Sequence, residues 1–168
     1  MTRSDGQHGP CPDADVHADR DFEIDAFLAR PLVAHLATSS PHGARESPVW
    51  FLWEDGAVWL VGTTRDSFPR RIAADGRCAL GVVDFDLAKG LLHHVGLRGV
   101  ASVEPLDRGR LHRLLARYLG PDEAAWNPSF RRRVIDHLDL MVRLVPTSVV
   151  ARDQSWFAAE EPGGAEEV

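Results

Sequence analysis

The sequence predicts a mainly β protein with peripheral helices (α+β), built around a small antiparallel β-barrel. Two observations lead to this fold class. Residues 44–80 run as strand, tight turn, strand, short helix and strand. The rest of the chain lacks the strict strand–helix alternation that builds parallel sheets. Within the first stretch, Glu54-Asp55-Gly56 has the composition of a hairpin turn, because glycine readily adopts the positive φ that such turns need.

The elements before the hairpin turn follow from apolar patterning. Phe22, Ile24, Phe27 and Leu28 predict a short helix that Pro31 ends. Residues 32–39 predict a first strand, and a turn over residues 41–43 leads into the next one. Residues 47–53 are almost continuously apolar, which is typical of a single strand covered on both faces.

The elements after the hairpin turn show clearer signals. Residues 57–62 predict a strand, followed by a helix that Gly76 ends. Residues 91–104 predict one long strand, or two strands joined at a glycine. Asp107 opens a helix with apolar side chains at helical spacing, and Asn127-Pro128 opens another. Residues 140–152 predict the closing strand or strands, interrupted at Pro146.

Charge is concentrated at the two ends of the chain. Residues 1–20 hold two Arg against four Asp, and residues 158–168 hold four Glu, so these ends account for the whole formal net charge of −6. We expect a disordered N-terminal segment 1–20, one domain over residues 21–157 and an acidic C-terminal tail 158–168. The neutral body argues against nucleic acid as a partner.

Cysteine usage and hydropathy indicate the cellular location that we expect for the protein. Cys11 and Cys78 do not make a disulfide framework, and no spacing of Cys and His suggests zinc. No apolar run approaches the length needed to cross a bilayer, and the sequence shows no secretory signal. We therefore expect a cytoplasmic protein without a membrane partner.

A cluster of hydroxyls and arginines surrounds the predicted start of the helix after residue 62. Two interpretations compete. Arg70 and Arg71 could be surface charges on an amphipathic helix, or they could hold a phosphate. A helix start offers free N–H groups, and guanidinium groups bind phosphate oxygens in two-point contacts. The preceding Thr63, Thr64 and Ser67, together with the strand order, favour the phosphate.

This order of elements resembles the FMN-binding split β-barrels of the pyridoxamine 5'-phosphate oxidase-like superfamily. The resemblance covers roughly residues 21–157. It is carried by five segments: Leu32–Ser39, Pro41–Gly43, Ser47–Phe51, Thr63–Arg71 and Arg77–Val83. Many relatives have Lys or Arg directly after the Ser or one position later, where this chain has Phe68 and Pro69. Arg70 or Arg71 is then left to supply that charge.

The resemblance implies a flavin in a groove between two subunits. Backbone groups of the strand over Ser47, Val49 and Trp50 would run along the ring. Residues matching Thr63, Ser67 and Arg70 or Arg71 would hold the phosphate. Two further places for the phosphate are Arg45, or Arg98 of the partner subunit.

His94 and Arg98 share one face of the predicted long strand, because side chains alternate along a strand. This pair could reach a ligand across a dimer seam, as the matching strand does in split barrels, or it could lie on a solvated sheet face. His35 could ligate haem, although a hydrogen-bonded core histidine is the favoured interpretation.

The sequence contains no motif for a self-sufficient catalytic site, which fits a protein whose chemistry is carried by a bound cofactor. Three function classes remain. The first is an FMN-dependent oxidoreductase acting on a small-molecule substrate. The second is a split barrel using the deazaflavin F420, whose longer tail would need extra basic contacts. The third is a non-catalytic flavin- or haem-binding protein.

A homodimer is also expected. Residues 48–53 are apolar at both alternating sets of positions, and a small barrel can bury only one set inside itself. A second copy would then cover the other set in a two-fold interface.

Overall fold

Eight β-strands form one sheet in the part of the chain that the structure describes. A computed structural model describes residues 14–19 and 22–156. The strands are β1 (Asp15–Ala18), β2 (Ala34–Thr38), β3 (Arg45–Val49), β4 (Leu52–Glu54), β5 (Ala57–Gly62), β6 (Arg77–Asp86), β7 (Leu91–Pro105) and β8 (Leu140–Asp153). The sheet confirms the predicted mainly β fold class.

Helices lie at the periphery of the sheet. The described residues form four α-helices: α1 (Ile24–Leu28), α2 (Ser67–Ala74), α3 (Arg108–Leu119) and α4 (Pro128–Arg133). Two short 3-10 helices, Glu123–Ala125 and Ile135–His137, flank α4. We refer to residues 108–138 as the helical layer.

The strand order closes the sheet on itself. The order is β3-β2-β6-β7-β8-β5-β4, with every neighbouring pair antiparallel, and β1 pairs in parallel with β8. β3 and β4 lie at opposite edges, yet only Trp50 and Phe51 separate them in the chain. The two edges must therefore approach each other at these residues, which gives the antiparallel split barrel.

The chain turns a corner at Trp50 and Phe51, so the prediction of a single strand over residues 47–53 is wrong. Alternation nevertheless continues through the break. Val49, Phe51 and Trp53 pack with the main core, whereas Trp50 and Leu52 pack with the helical layer. Both sets of apolar side chains are thus covered within one chain.

The main core follows the register of the central strands. Leu36 of β2 pairs with Leu80, Leu80 with Leu97, and Leu97 with Val149. Each of these four side chains is at most 1% exposed. A second cluster lies beneath α3, where Leu111, Leu114 and Leu115 are buried with Trp126.

The predicted helix starts are confirmed by their hydrogen bonds. The Asp107 carboxylate accepts from the Arg110 amide at 2.9 Å and caps α3. The Asn127 side-chain oxygen accepts from the Ser129 and Phe130 amides at 2.9 and 3.1 Å and caps α4. These side chains satisfy amides that have no partner within the helix.

Two sequence-based boundaries are wrong. Residues 15–18 belong to β1, so the predicted disordered segment 1–20 does not hold there; residues 1–13, 20 and 21 lie outside the described part. α2 ends at the Asp75 cap rather than at a glycine in the left-handed region. Gly76 is instead needed for space, because an added Cβ would lie 2.5 Å from the Ala101 carbonyl oxygen.

Two further predictions change with the structure. β8 is one continuous strand through Pro146, accommodated by an irregularity in the pairing with β7 between Arg98 and Gly99. His35 is exposed rather than in the core, and its Nδ1 lies 2.6 Å from the Glu46 carboxylate.

Glu54 attaches the helical layer to the β4–β5 hairpin. Its carboxylate accepts from Arg113 Nε at 2.8 Å, Arg113 Nη2 at 2.9 Å and Arg110 Nε at 2.6 Å. Arg110 also lies over the Trp59 ring, 3.8 Å from its centroid. The hydrogen bond from Arg113 is the main cause that holds the pKa of Glu54 below its usual value, and Arg110 adds to it.

We expect Glu54→Gln to lower the free energy of unfolding by about 1 kcal/mol at neutral pH, after allowance for solvent screening. The folded-state pKa is depressed, so the stabilisation is present above the ordinary pKa of 4.5 and is lost as pH falls through the folded value. The difference from wild type should shrink in acid. Urea unfolding across pH measures it, with Glu23→Gln as the control; a pH-independent difference would contradict the role of charge.

Candidate functional site

A cleft lies between α2 and the turn that joins β2 to β3. Its volume is about 600 Å³, and we call it the α2 cleft. Its lining residues are Ser39, Ser40, Pro41, Ser67, Arg70, Arg71, Ala74 and Asp75. Three of the predicted phosphate ligands, Ser67, Arg70 and Arg71, therefore lie in one cleft.

Arg71 is held in a defined orientation in this cleft. Its Nε donates to the Thr38 hydroxyl at 2.7 Å, and its Nη2 donates to the Ser47 hydroxyl at 3.4 Å. A guanidinium has five N–H donors, so three remain after these two bonds. Arg71 is thus a fixed, incompletely satisfied cation at the wall of the α2 cleft.

Thr38 is the residue that the sequence interpretation missed. It is 3% exposed and shares the inward face of β2 with Ala34 and Leu36. Its hydroxyl accepts from Arg71 and donates to the Arg45 carbonyl at 3.5 Å. The available signal was a hydroxyl on an otherwise apolar strand face, because a buried hydroxyl normally has a specific hydrogen-bond partner.

The acidic member of the α2 cleft is already paired. Arg77 donates from Nε and Nη2 to the two Asp75 carboxylate oxygens at 3.0 and 2.8 Å. These bonds lower the pKa of Asp75 to about 2. Arg70 is exposed and has no ion pair within the described part of the chain. The cleft therefore presents more positive than negative charge to a ligand.

Thr63 and Thr64 do not belong to this cleft. The Thr63 amide donates to the Asp66 carboxylate at 2.7 Å. The Thr64 amide and hydroxyl donate to the two Asp139 carboxylate oxygens at 2.9 and 3.0 Å. These donors are already bonded to carboxylates, and Asp66 places negative charge beside the start of α2. The predicted seat that joins both threonines to the arginines is therefore separated into two places.

A second cleft adjoins the first at Ser39. We call it the β6–β7 cleft; its volume is about 440 Å³. Its lining residues are Ala37, Thr38, Ser39, Ala44, Arg77, Cys78, Ala79, Arg98, Gly99, Val100 and Thr147. Arg98 is exposed and has no side-chain ion pair among the described residues. Among the described residues, the two clefts together are lined by four arginines, Arg70, Arg71, Arg77 and Arg98, and one carboxylate, Asp75.

Comparison with solved structures identifies the fold. No protein-family profile and no curated protein matches the sequence. The chain is similar to an F420 reductase, with 26% identity, a TM-score of 0.58, and coverage of 74% of this chain and 94% of that one. It is similar to an FAD-binding protein from Mesorhizobium loti, with 16% identity, a TM-score of 0.58, and coverage of 78% of this chain and 92% of that one. It is also similar to a putative pyridoxamine 5'-phosphate oxidase from Listeria innocua, with 14% identity, a TM-score of 0.56, and coverage of 79% of this chain and 96% of that one.

The chain has the split-barrel fold of the pyridoxamine 5'-phosphate oxidase-like superfamily. The resemblance predicted from the sequence is thereby confirmed. In this split barrel, β2, β3 and α2 form the wall that carries Thr38, Ser47 and Arg71.

The remaining predicted site residues of the split barrel lie around this wall or away from it. Arg45 pairs with Thr38 in register and is exposed. Val49 packs against the main core. Trp50 stacks on Tyr118, with ring centroids 4.6 Å apart and an angle of 3° between the planes. Its side chain is therefore committed to the helical layer.

His94 and Arg98 occupy the outward positions of β7, whereas Val95 and Leu97 between them are buried. His94 covers two paired glycines: an added Cβ at Gly96 would lie 3.2 Å from His94 Cε1. Arg98 lines the β6–β7 cleft, whereas His94 is not among the described residues that line either of the two clefts. The structure therefore places the two on one face without bringing both to the same cleft.

Residues 14–19 and 22–156 give no support for a metal site, a membrane-spanning helix or a reactive cysteine. No group of three or more His, Cys, Asp or Glu in that part could hold a metal ion. No helix there is long and apolar enough to span a bilayer. Burial raises the pKa of the Cys78 thiol to about 11, so this cysteine is protonated and weakly nucleophilic at neutral pH.

Proposed function

We propose that the protein binds a flavin-type cofactor, FMN in the first instance, and acts as an oxidoreductase on a small organic substrate. The observation that carries this proposal is the fixed guanidinium of Arg71 at the α2 cleft. Its support comes from the split-barrel fold and from the similarity to a reductase and an FAD-binding protein. We also propose a cytoplasmic location, consistent with the free thiol of Cys78 and testable by cell fractionation.

The donor set of the α2 cleft fits a phosphate group. Arg71 retains three N–H donors, Arg70 adds a second guanidinium, and Ser67 and Ser39 supply hydroxyls. Guanidinium–phosphate bonds are charge-assisted and therefore stronger than bonds between neutral groups. Among the described residues that line the cleft, the one carboxylate, Asp75, is neutralised by Arg77. We infer that the cofactor phosphate is held at Arg71 and Arg70, rather than at Thr63 and Thr64.

The protein's part in the reaction is to bind and orient. A bound flavin would supply the redox chemistry. Arg71 would fix the phosphate end, and the backbone of β3 from Ser47 would contact the ring, as the resemblance implies. The buried hydroxyl of Thr38 keeps Arg71 in place before the ligand arrives, which lowers the cost of ordering on binding.

A deazaflavin cofactor of the F420 type is the second candidate. The β6–β7 cleft favours it, because Arg98, which has no ion pair among the described residues, extends positive charge beyond the single phosphate of FMN. The similarity to an F420 reductase is also the highest in identity of the three structures compared above. A cofactor with further anionic groups would use both clefts.

Mass spectrometry of the small molecule that copurifies with the protein tests the proposal. FMN would support the first candidate and F420 the second. A Soret absorption band would indicate haem and overturn both. If no small molecule copurifies, titration with FMN and F420 decides, and failure of both to bind would refute a flavin-type function.

The apolar strand face that predicts a homodimer is covered within one chain. The sequence predicts that residues 48–53 leave one apolar face uncovered, but the helical layer covers Trp50 and Leu52. We still propose a homodimer on two other grounds. The family resemblance implies a cofactor groove between two subunits, which is one reason for the proposal. The other is that β6 and β7 expose Val83, Phe85 and Val100 at 43%, 56% and 55%.

Light scattering at micromolar concentration is expected to give twice the chain mass. Replacing two exposed apolar side chains by Val83→Ser and Val100→Ser should shift the protein toward the monomer, because it removes apolar area from the interface. Val33→Ser, at another exposed valine, is the control. A wild-type protein that stays monomeric would contradict the proposal.

A further inference from the structure

The β2–β3 hairpin opens at the corner where the chain leaves one sheet edge for the other. Ala34 pairs with Val49 at the end of the hairpin. The next residues that could exchange backbone hydrogen bonds in the same register are Leu32 and Phe51. They lie outside the two strands, so their polar backbone groups need other partners.

The hydroxyl of Tyr118 takes the place of that missing backbone pair. It accepts from the Phe51 amide at 3.1 Å and donates to the Leu32 carbonyl at 2.8 Å. The Phe51 carbonyl, at 3.2 Å, is an alternative acceptor for the same proton. One side chain from α3 thus bridges both strands of the hairpin at the point where they separate.

The Tyr118 ring fixes the other side of the corner. It stacks on Trp50 almost in parallel, and Phe130 contacts Trp50 from α4 with centroids 5.9 Å apart. Burial raises the pKa of Tyr118, which keeps its phenol protonated and able to donate. The geometry by itself places both the hydroxyl and the ring of Tyr118 on the corner at Trp50 and Phe51.

We propose that Tyr118 is a positioning residue for the cofactor: its hydroxyl bridge fixes the end of β3 and thereby the strand that lies along the flavin ring. This inference rests on the proposed function. Tyr118 does not line either cleft, so it acts through the Leu32 and Phe51 backbone rather than by contact with the ligand. Its effect should be on the ring, not on the phosphate held at the far end of the hairpin.

The test compares Tyr118→Phe with wild type. This substitution keeps the ring that stacks on Trp50 and removes only the hydroxyl bridge. We expect faster hydrogen exchange at the Phe51 amide, about threefold to tenfold weaker binding of both FMN and riboflavin, and a changed visible circular dichroism of the bound flavin. The two ligands should lose affinity equally, because the ring is common to both.

Trp126→Phe is the matched control, since Trp126 Nε1 donates to the Gly120 carbonyl within the helical layer, away from the corner. It should leave the flavin spectrum unchanged, so a similar change there would reduce Tyr118 to a general packing role and overturn the inference. Faster Phe51 exchange with unaltered flavin affinity and spectrum would also overturn it. If wild type binds no flavin, the proposed function fails, and the positioning role is refuted with it even if the exchange result supports the bridge.

Discussion

Arg71→Ala is expected to weaken FMN binding by about one to two powers of ten while leaving riboflavin binding nearly unchanged. Charge-assisted hydrogen bonds are each worth roughly 1.5–3 kcal/mol, and riboflavin lacks the phosphate that would accept them. Arg71 should matter more than Arg70, because Thr38 and Ser47 hold its guanidinium in place. Flavin-fluorescence titration with both ligands measures the difference.

The controls separate phosphate binding from packing. Arg65→Ala removes an exposed arginine of the same segment that does not line the α2 cleft, and it should bind FMN like wild type. Thr38→Val keeps the shape of the buried side chain but frees Arg71, so it should give a smaller, FMN-selective loss. Equal losses of FMN and riboflavin in Arg71→Ala would indicate a packing defect. Wild-type affinity would place the phosphate elsewhere, for example at Arg45 or Arg98.

The elements that the sequence predicted correctly have strong local signals. The sequence of β7 predicted one long strand or two joined at a glycine, and α3 combines helical apolar spacing with Asp107 at its start. Asn127 and Pro128 likewise define the start of α4 without reference to the rest of the fold. Each of these signals depends on residues a few positions apart, which is why a single sequence is enough to interpret them.

The corner at Trp50 and Phe51, in contrast, could not be predicted from neighbouring residues, because it depends on contacts with distant ones. A run of alternating apolar residues looks the same whether it stays in one sheet or passes to a second layer. The choice is made by Tyr118, 67 residues later in the chain, whose hydroxyl accepts from the Phe51 amide. For the same reason the apolar alternation of residues 48–53 predicts cover from a second copy, whereas the helical layer of the same chain covers Trp50.

The candidate site likewise combines residues that local sequence identifies with contacts that only the fold creates. Arg70 and Arg71 were recognisable because arginines and hydroxyls cluster within nine residues. The contact that orients Arg71 comes from Thr38, 33 residues earlier, and the contact that removes Thr64 from the site comes from Asp139, 75 residues later. The local composition therefore identifies the arginines of the site, whereas long-range hydrogen bonds determine which hydroxyls contact them.

Phe51→Ala is expected to lower the free energy of unfolding by about 3–5 kcal/mol, which is the usual range for truncating a buried phenylalanine. Phe51 is fully buried in the main core, and the Arg117 guanidinium lies 4.7 Å from its ring centroid. Arg117 in turn donates to the carbonyl of Leu28, the last residue of α1, and to that of Arg30 just beyond the helix. Loss of the ring would therefore leave a cavity at the junction of the corner, α1 and α3.

Leu87→Ala is the control, because Leu87 is a large apolar residue that is 68% exposed and should change stability by less than about 1 kcal/mol. Denaturant unfolding at one fixed protein concentration, with cofactor removed, measures both variants, since bound ligand or a subunit partner would add its own stabilisation. A lower midpoint with an unchanged slope would locate the loss in the native core. Equal effects at the two positions would mean that Phe51 is not buried at the corner between β3 and β4. The alternate packing of residues 49–53 against the barrel core and the helical layer would then be wrong.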